Sequence, residues 1–217
     1  MNKFIILLCA ICFVSCESID PYSGEKKTSN TGKGVGIGAV AGAVLGAAAS
    51  SKKDRKRGAL TGALVGGAIG GGVGKYMDNQ ETKLRERLQG TGVQVQRDGD
   101  NLNLIMPGNI TFATSNANIR SDFYEVLGSV ALVLKEFDKT NVLIGGHTDS
   151  TGSDLINQKL SEDRANSVRV YLISQQVRSS RLRAEGYGSH SPVDSNNSEQ
   201  GRQANRRVEI QLTPVEQ

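Results

Sequence analysis

Cysteine is missing from this chain after Cys16. The two others, Cys9 and Cys12, lie in the N-terminal apolar run, so a mature chain starting at Cys16 can close no internal disulfide. A lone free thiol is out of place in an oxidising compartment, whereas a lipidated cysteine is not. Histidine is nearly as scarce. His147 and His190 have no metal-ligand spacing, and nothing else in the chain suggests a cofactor. His147, Asp149 and Ser150 superficially suggest a triad, but no second base or oxyanion set accompanies them, which argues against an enzyme. Tryptophan is absent. The net charge of +4 is modest, and much of it sits in one loop, Lys52 to Arg57, with five bases and one acid. Nucleic-acid binding needs a basic face across a whole domain and is not expected. The apolar run from Phe4 to Val14 is too short to span a bilayer.

What is present divides the chain into five segments. Residues 1–15 read as a secretory signal, with Lys3 ahead of the apolar core. Phe13-Val14-Ser15-Cys16 resembles a bacterial lipobox, with Phe13 where Leu is usual, and implies acylation of Cys16 and anchoring in membrane lipid. Residues 16–33 are polar and aperiodic and read as a flexible tether. Residues 34–75 then carry glycines every four positions, at Gly34, Gly38, Gly42 and Gly46 and again from Gly58 to Gly74. Glycine disfavours helix, so the period needs a reason. A bare groove along each helix supplies one, since it admits a second helix closely. The expectation is a glycine-zipper helical hairpin around the charged loop. It could be integral to the membrane, lie on its surface, or form the core of a homo-oligomer. Residues 76–91 read as a polar helical spacer, solvated, with Glu81 and Arg85 one turn apart.

Residues 92–217 read as one α+β domain. Val93 and Val95 alternate with glutamines up to an Asp98-Gly99 turn, and Asn101 to Met106 returns as the second strand of a hairpin. Ile110 to Phe112 reads as a short strand or extended piece. Asp122 to Phe137 has a helical apolar stripe, with Asp122 and Glu125 placed as a capping box. Asn141 to Gly146 reads as a buried strand, Asp154 to Gln175 as a helix, and Leu182 to Tyr187 and Arg207 to Leu212 as further strands. Gly188 to Gln203 reads as irregular, with room for a short helix. Strands and helices of these lengths give a sheet with helices on one side.

The chemistry concentrates after the buried strand, in Gly146-His147-Thr148-Asp149-Ser150-Thr151-Gly152. In the following helix Asn157, Leu160, Arg164, Val168 and Leu172 share one face. Arg164 in an apolar stripe needs an anion, either Asp149 or a ligand carboxylate. Asp149 and Arg164 together suggest a small site for a ligand bearing an ammonium and a carboxylate. The same residues carry a family resemblance. Thr148, Asp149, Gly152, Asn157, Leu160, Ser161, Arg164, Ala165 and Val168, with Asn205 to Ile210 at the end, resemble the peptidoglycan-binding motif of OmpA-like C-terminal domains, shared by OmpA, Pal and MotB. The resemblance spans roughly residues 93–213. It implies a βαβαββ order and a peptidoglycan ligand, the diaminopimelate of the stem peptide, contacted by Asp149, Arg164, Asn157, Thr148 and Arg206. Many relatives have an acid where this chain has Ala113. With the lipobox and the glycine zippers, the whole chain resembles YiaD-type lipoproteins, implying an outer-membrane anchor of a Gram-negative bacterium with its C-terminal domain in the periplasm.

Overall fold

The computed structural model describes residues 17–19, 26–28, 30–50, 55–113 and 115–215, so the signal segment and Cys16 lie outside the described residues. The chain forms two compact units, Met1–Gly74 and Lys75–Gln217.

In the first unit, β1 (Glu17–Ile19) pairs antiparallel with β2 (Lys26–Thr28), and α1 starts at Asn30 and runs to Ala49. The stretch expected as a flexible tether therefore contains a small hairpin and the start of a helix. The second zipper segment opens α2 (Arg55–Leu88), a single helix of 34 residues that continues into the second unit. The glycine period is used within the chain. A Cβ on Gly42 would fall on the Gly62 carbonyl, and one on Gly46 on the Gly58 carbonyl. The backbones of α1 and α2 are thus in direct contact, and any side chain at these positions would separate them. A homo-oligomer built on these glycines would have to compete with this packing. Among the described residues no helix is long and apolar enough to cross a membrane. The integral-membrane alternative for the hairpin is therefore not supported.

The second unit is built on a five-stranded sheet of order β3-β4-β7-β5-β6. Its strands are β3 (Gln94–Asp98), β4 (Asn101–Pro107), β5 (Thr140–His147), β6 (Leu182–Gly186) and β7 (Arg207–Pro214). Only β5 and β6 are parallel, because α5 (Asp154–Ser174) connects them as a crossover; the other pairs are antiparallel. Leaving out β3, the order is the expected βαβαββ. Alternation sets the core: Leu102, Leu104, Met106, Val142, Ile144, Val208, Ile210 and Leu212 are buried. They meet Leu127, Val130 and Leu134 of α4 (Tyr124–Glu136) and Ala165, Val168 and Leu172 of α5. Gly146 lets β5 approach α5 until a Cβ would strike the Ser161 carbonyl.

Three local expectations are corrected. Ile110 lies in a short helix, α3 (Gly108–Thr111), closed by Phe112 N–H donating to the Gly108 carbonyl at 2.9 Å; Phe112 then makes a lone bridge with Ile119. The capping box at Asp122 and Glu125 does not form. Residues Ser121–Phe123 make a 3-10 turn before α4, and the Asp122 carboxylate accepts from Arg120 Nε at 3.1 Å and Nη2 at 3.0 Å instead. The third concerns the solvated spacer. Met77, Gln80 and Leu84 of α2 are fully buried and Leu88 nearly so. Tyr76 packs edge-on against Phe137 at 5.3 Å and accepts a hydrogen bond from Lys139 N–H at 2.9 Å. Arg97, with a side chain 3 % exposed, lies 3.7–3.9 Å from Asp78, Glu81 and Asp100. The polar helix is part of the domain's core. Between β6 and β7 the chain forms α6 (Glu199–Asn205), capped by Ser198, whose hydroxyl accepts from Gly201 N–H at 3.0 Å.

Candidate functional site

One end of the sheet gathers the site. β5 ends at His147, β4 ends at Pro107 and β7 begins at Arg207, and these three residues are neighbours in the sheet register. A cavity of about 650 Å³ opens beside them. Its walls include Thr148, Asp149, Asn157 and Arg164, and also Arg206. The structure thus brings together all five residues singled out for ligand binding.

Asp149 is 6 % exposed. One carboxylate oxygen accepts from Thr151 N–H at 2.7 Å and the other from Arg206 Nη1 at 2.6 Å. Burial by itself raises its pKa, but these hydrogen bonds outweigh burial and hold it below the usual carboxylate value. Arg206 also donates through Nη2 to Glu199 at 2.8 Å, and Arg202 grips the other oxygen of Glu199 at 2.7 and 3.0 Å. In this structure Arg206, which the resemblance assigns to the ligand, meets carboxylates of its own chain.

Arg164 is different. It is 5 % exposed, its Nε donates to the Asn116 carbonyl at 3.0 Å, and its guanidinium lies over the Phe112 ring at 5.2 Å. It forms no ion pair among the described residues. Burial, with Arg206 nearby, lowers its pKa, and Asp149 only partly counters this. A guanidinium remains charged even so, and stacking on an aromatic ring stabilises it only in part. The result is a buried cation on the cavity wall that no carboxylate among the described residues pairs with.

The other two residues differ in kind. Asn157 is buried and donates from Nδ2 to the Thr151 carbonyl at 3.1 Å, fixing the loop that bears Asp149; Gly152 in that loop has φ +96°, where a side chain would be strained. Thr148 is held by its N–H on the Gly188 carbonyl at 2.8 Å, while its hydroxyl is buried without a partner. His147 does not join them. Alternation along β5 turns it to the other sheet face, where it lines a separate groove and stacks on Tyr187 at 5.1 Å. The superficial triad is therefore not assembled.

Sequence reasoning missed Glu199, Arg202, Arg120, Phe112 and Gly108. Gly108 matters because its N–H donates to the Arg206 carbonyl at 2.7 Å, and a Cβ there would come within 2.7 Å of the same oxygen. No local signal marks these residues, since each belongs to an element far in sequence from Asp149.

A mixed sheet backed by two helices, with an Arg–Asp cavity at the end of its central strands, defines an OmpA-like domain. Residues 111–206 match the OmpA family and residues 1–78 the YMGG-like Gly-zipper. The chain belongs to the OmpA family, in company with the probable lipoprotein YiaD of Escherichia coli K12, to which it is 48% identical over 219 residues, covering 99% of this chain and 100% of that protein. The peptidoglycan-binding protein ArfA of Mycobacterium tuberculosis H37Rv is 40% identical over 109 residues, which are 50% of this chain and 33% of that one. Among solved structures, the cell wall anchor of the T6SS from Pseudomonas aeruginosa superimposes with a TM-score of 0.56 at 32% identity, covering 60% of this chain and 96% of that one.

Proposed function

We propose that this chain is an outer-membrane lipoprotein, acylated at Cys16, that binds peptidoglycan non-covalently through the diaminopimelate of its stem peptides and so ties the membrane to the wall from the periplasmic side. The observation that carries the reading is Arg164, a buried guanidinium on a cavity wall with no ion pair among the described residues. The far end of diaminopimelate carries one ammonium and one carboxylate. The carboxylate pairs with Arg164, and the Arg206 guanidinium can share it. The ammonium goes to Asp149, whose oxygens each keep a lone pair beyond the bonds from Thr151 and Arg206. Thr148 is on the same wall, and Asn157 holds the loop in place. The names of ArfA and of the secretion-system anchor support a wall ligand, and that of YiaD supports the lipid anchor.

Each charge-assisted contact adds about 1.5–3 kcal/mol net, so a single site binds modestly. Retention comes from many sites along one polymer. The test is co-sedimentation of residues 75–217 with insoluble sacculi, comparing wild type with Asp149→Ala and Arg164→Ala, with melting curves to show that each is folded. Wild type is expected in the pellet and both variants in the supernatant. Folded variants that pellet like wild type, or a soluble wild type, would sink the proposal.

A further inference from the structure

The zipper hairpin is packed inside out. In a helix pair stabilised by water, large apolar side chains meet in the middle and small or polar ones face outward. Here Gly42, Gly46, Gly58 and Gly62 fill the contact between α1 and α2. The large apolar side chains point away from it: Val40 is 68% exposed, Val44 64%, Leu45 71%, Leu60 67%, Leu64 71% and Val65 55%. No charged residue occurs from Gly34 to Ser51 or from Gly58 to Gly74. The two outward arcs repeat each other at a fixed offset of 20 residues, Val40-Ala41-Gly42-Ala43-Val44-Leu45 against Leu60-Thr61-Gly62-Ala63-Leu64-Val65. One hairpin thus has two equivalent apolar flanks, one on each helix, both facing away from the helix contact.

We infer that these flanks are immersed in one leaflet of an anionic phospholipid bilayer, with Arg55, Lys56 and Arg57 at the headgroup phosphates. Two observations select lipid over a second copy of the chain. First, a two-fold partner covers a single self-complementary patch and leaves the opposite flank wet, whereas acyl chains cover both at once. Second, α2 opens with Arg55, Lys56 and Arg57, all exposed, and has no acid in its first turn. Cations there oppose the helix dipole, which favours anions at an N-terminus. A layer of phosphates beside that turn satisfies both the side chains and the helix end, and an uncharged apolar stretch starts directly after it. Crossing the bilayer is not required, and among the described residues no helix is long and apolar enough to do so. The inference does not rest on wall binding.

The experiment uses the whole chain carrying Cys16→Ser, which removes the acyl anchor, and Leu64→Trp as reporter. The chain has no tryptophan of its own, so the indole signal has no background. Vesicles of phosphatidylcholine alone and with phosphatidylglycerol are added, and emission wavelength and quenching by brominated acyl chains are read. The expected result is a blue shift and quenching with the anionic vesicles. Replacing Arg55, Lys56 and Arg57 together by Gln is expected to weaken binding roughly a hundredfold, each cation near such a surface contributing about fivefold. Val44→Asp with Val65→Asp is expected to weaken it at least tenfold without loss of helicity, because both side chains face outward. Emission that is already blue-shifted without lipid, in particles sedimenting as dimers or larger, would assign the flanks to a second copy and overturn the inference. Emission that stays at the water value with both vesicle types would overturn it as well.

Discussion

Arg206 sets the charge balance of the cavity. It divides its guanidinium between Asp149 and Glu199, and its hydrogen bond is the largest of the influences that lower the Asp149 pKa against the opposing effect of burial. A carboxylate whose folded value lies below its unfolded value adds stability above the unfolded value and loses it as pH falls through the folded one. In the proposed function the same charge must be present for ligand ammonium to bind. Arg206→Gln is therefore expected to move the acid midpoint of sacculus binding upward, toward the ordinary carboxylate range. A midpoint that does not move would show that Arg206 does not govern the charge of Asp149. His147 offers a separate test on stability. Burial, helped by the nearby Arg207, lowers its pKa from 6.5 to about 4. The folded chain keeps it neutral while the unfolded chain takes up the proton, so stability is full above pH 6.5 and drains between there and pH 4. The loss is about 3 kcal/mol at most. Urea melts at pH 7 and pH 4.5 should show it, and His147→Phe should remove most of the slope.

Among the elements, α4 depends on a residue from elsewhere in the chain. Arg181 is buried and donates to the carbonyls of Leu134, Phe137 and Thr140 at 2.8, 3.0 and 2.6 Å, closing the C-terminus of α4 where the helix dipole favours a cation. Arg181→Met keeps the bulk but leaves those carbonyls unpaired. It is expected to cost about 2–4 kcal/mol in urea unfolding, somewhat offset because no charge need then be buried. The latter half of α2 makes a similar point. Its apolar residues, Met77, Leu84 and Leu88, are sparse enough that the sequence reads as a solvated helix, and Gln80, also fully buried, breaks the stripe. Only the fold provides the surface they cover. A fragment of residues 91–217 should accordingly melt several degrees below one of residues 75–217; equal melting temperatures would mean that the helix adds nothing to the domain. The remaining elements were legible for a simple reason. Alternation in β4, β5 and β7 and the helical stripe of α5 face one core, so local pattern and burial agree. Asp149 and Arg164 were legible because they lie only 15 positions apart in one strand–loop–helix unit. Glu199, Arg202 and Phe112 were not, because tertiary packing alone brings them to the cavity. The glycine period likewise revealed a close helix contact, but not that the bulky residues would be left outside it.

For the whole molecule, the proposed anchor, hairpin and wall-binding domain make a testable quantitative claim. A modest site on a freely diffusing domain releases its ligand quickly. The same site on many chains held in one membrane faces a polymer with many stem peptides, and a released site finds another before the rest let go. Retention should then depend on lipid attachment as well as on the cavity. The lipid-modified chain on vesicles should hold sacculi on the order of a hundredfold more tightly than residues 75–217 free in solution, measured as the free concentration that half-saturates a fixed amount of wall. Arg164→Ala should abolish both, because avidity multiplies a site affinity and cannot replace it. If the vesicle-bound chain gains nothing over the free domain, the sites act singly, and tethering would have to come from a tighter individual contact than the charges at Asp149 and Arg164 can supply.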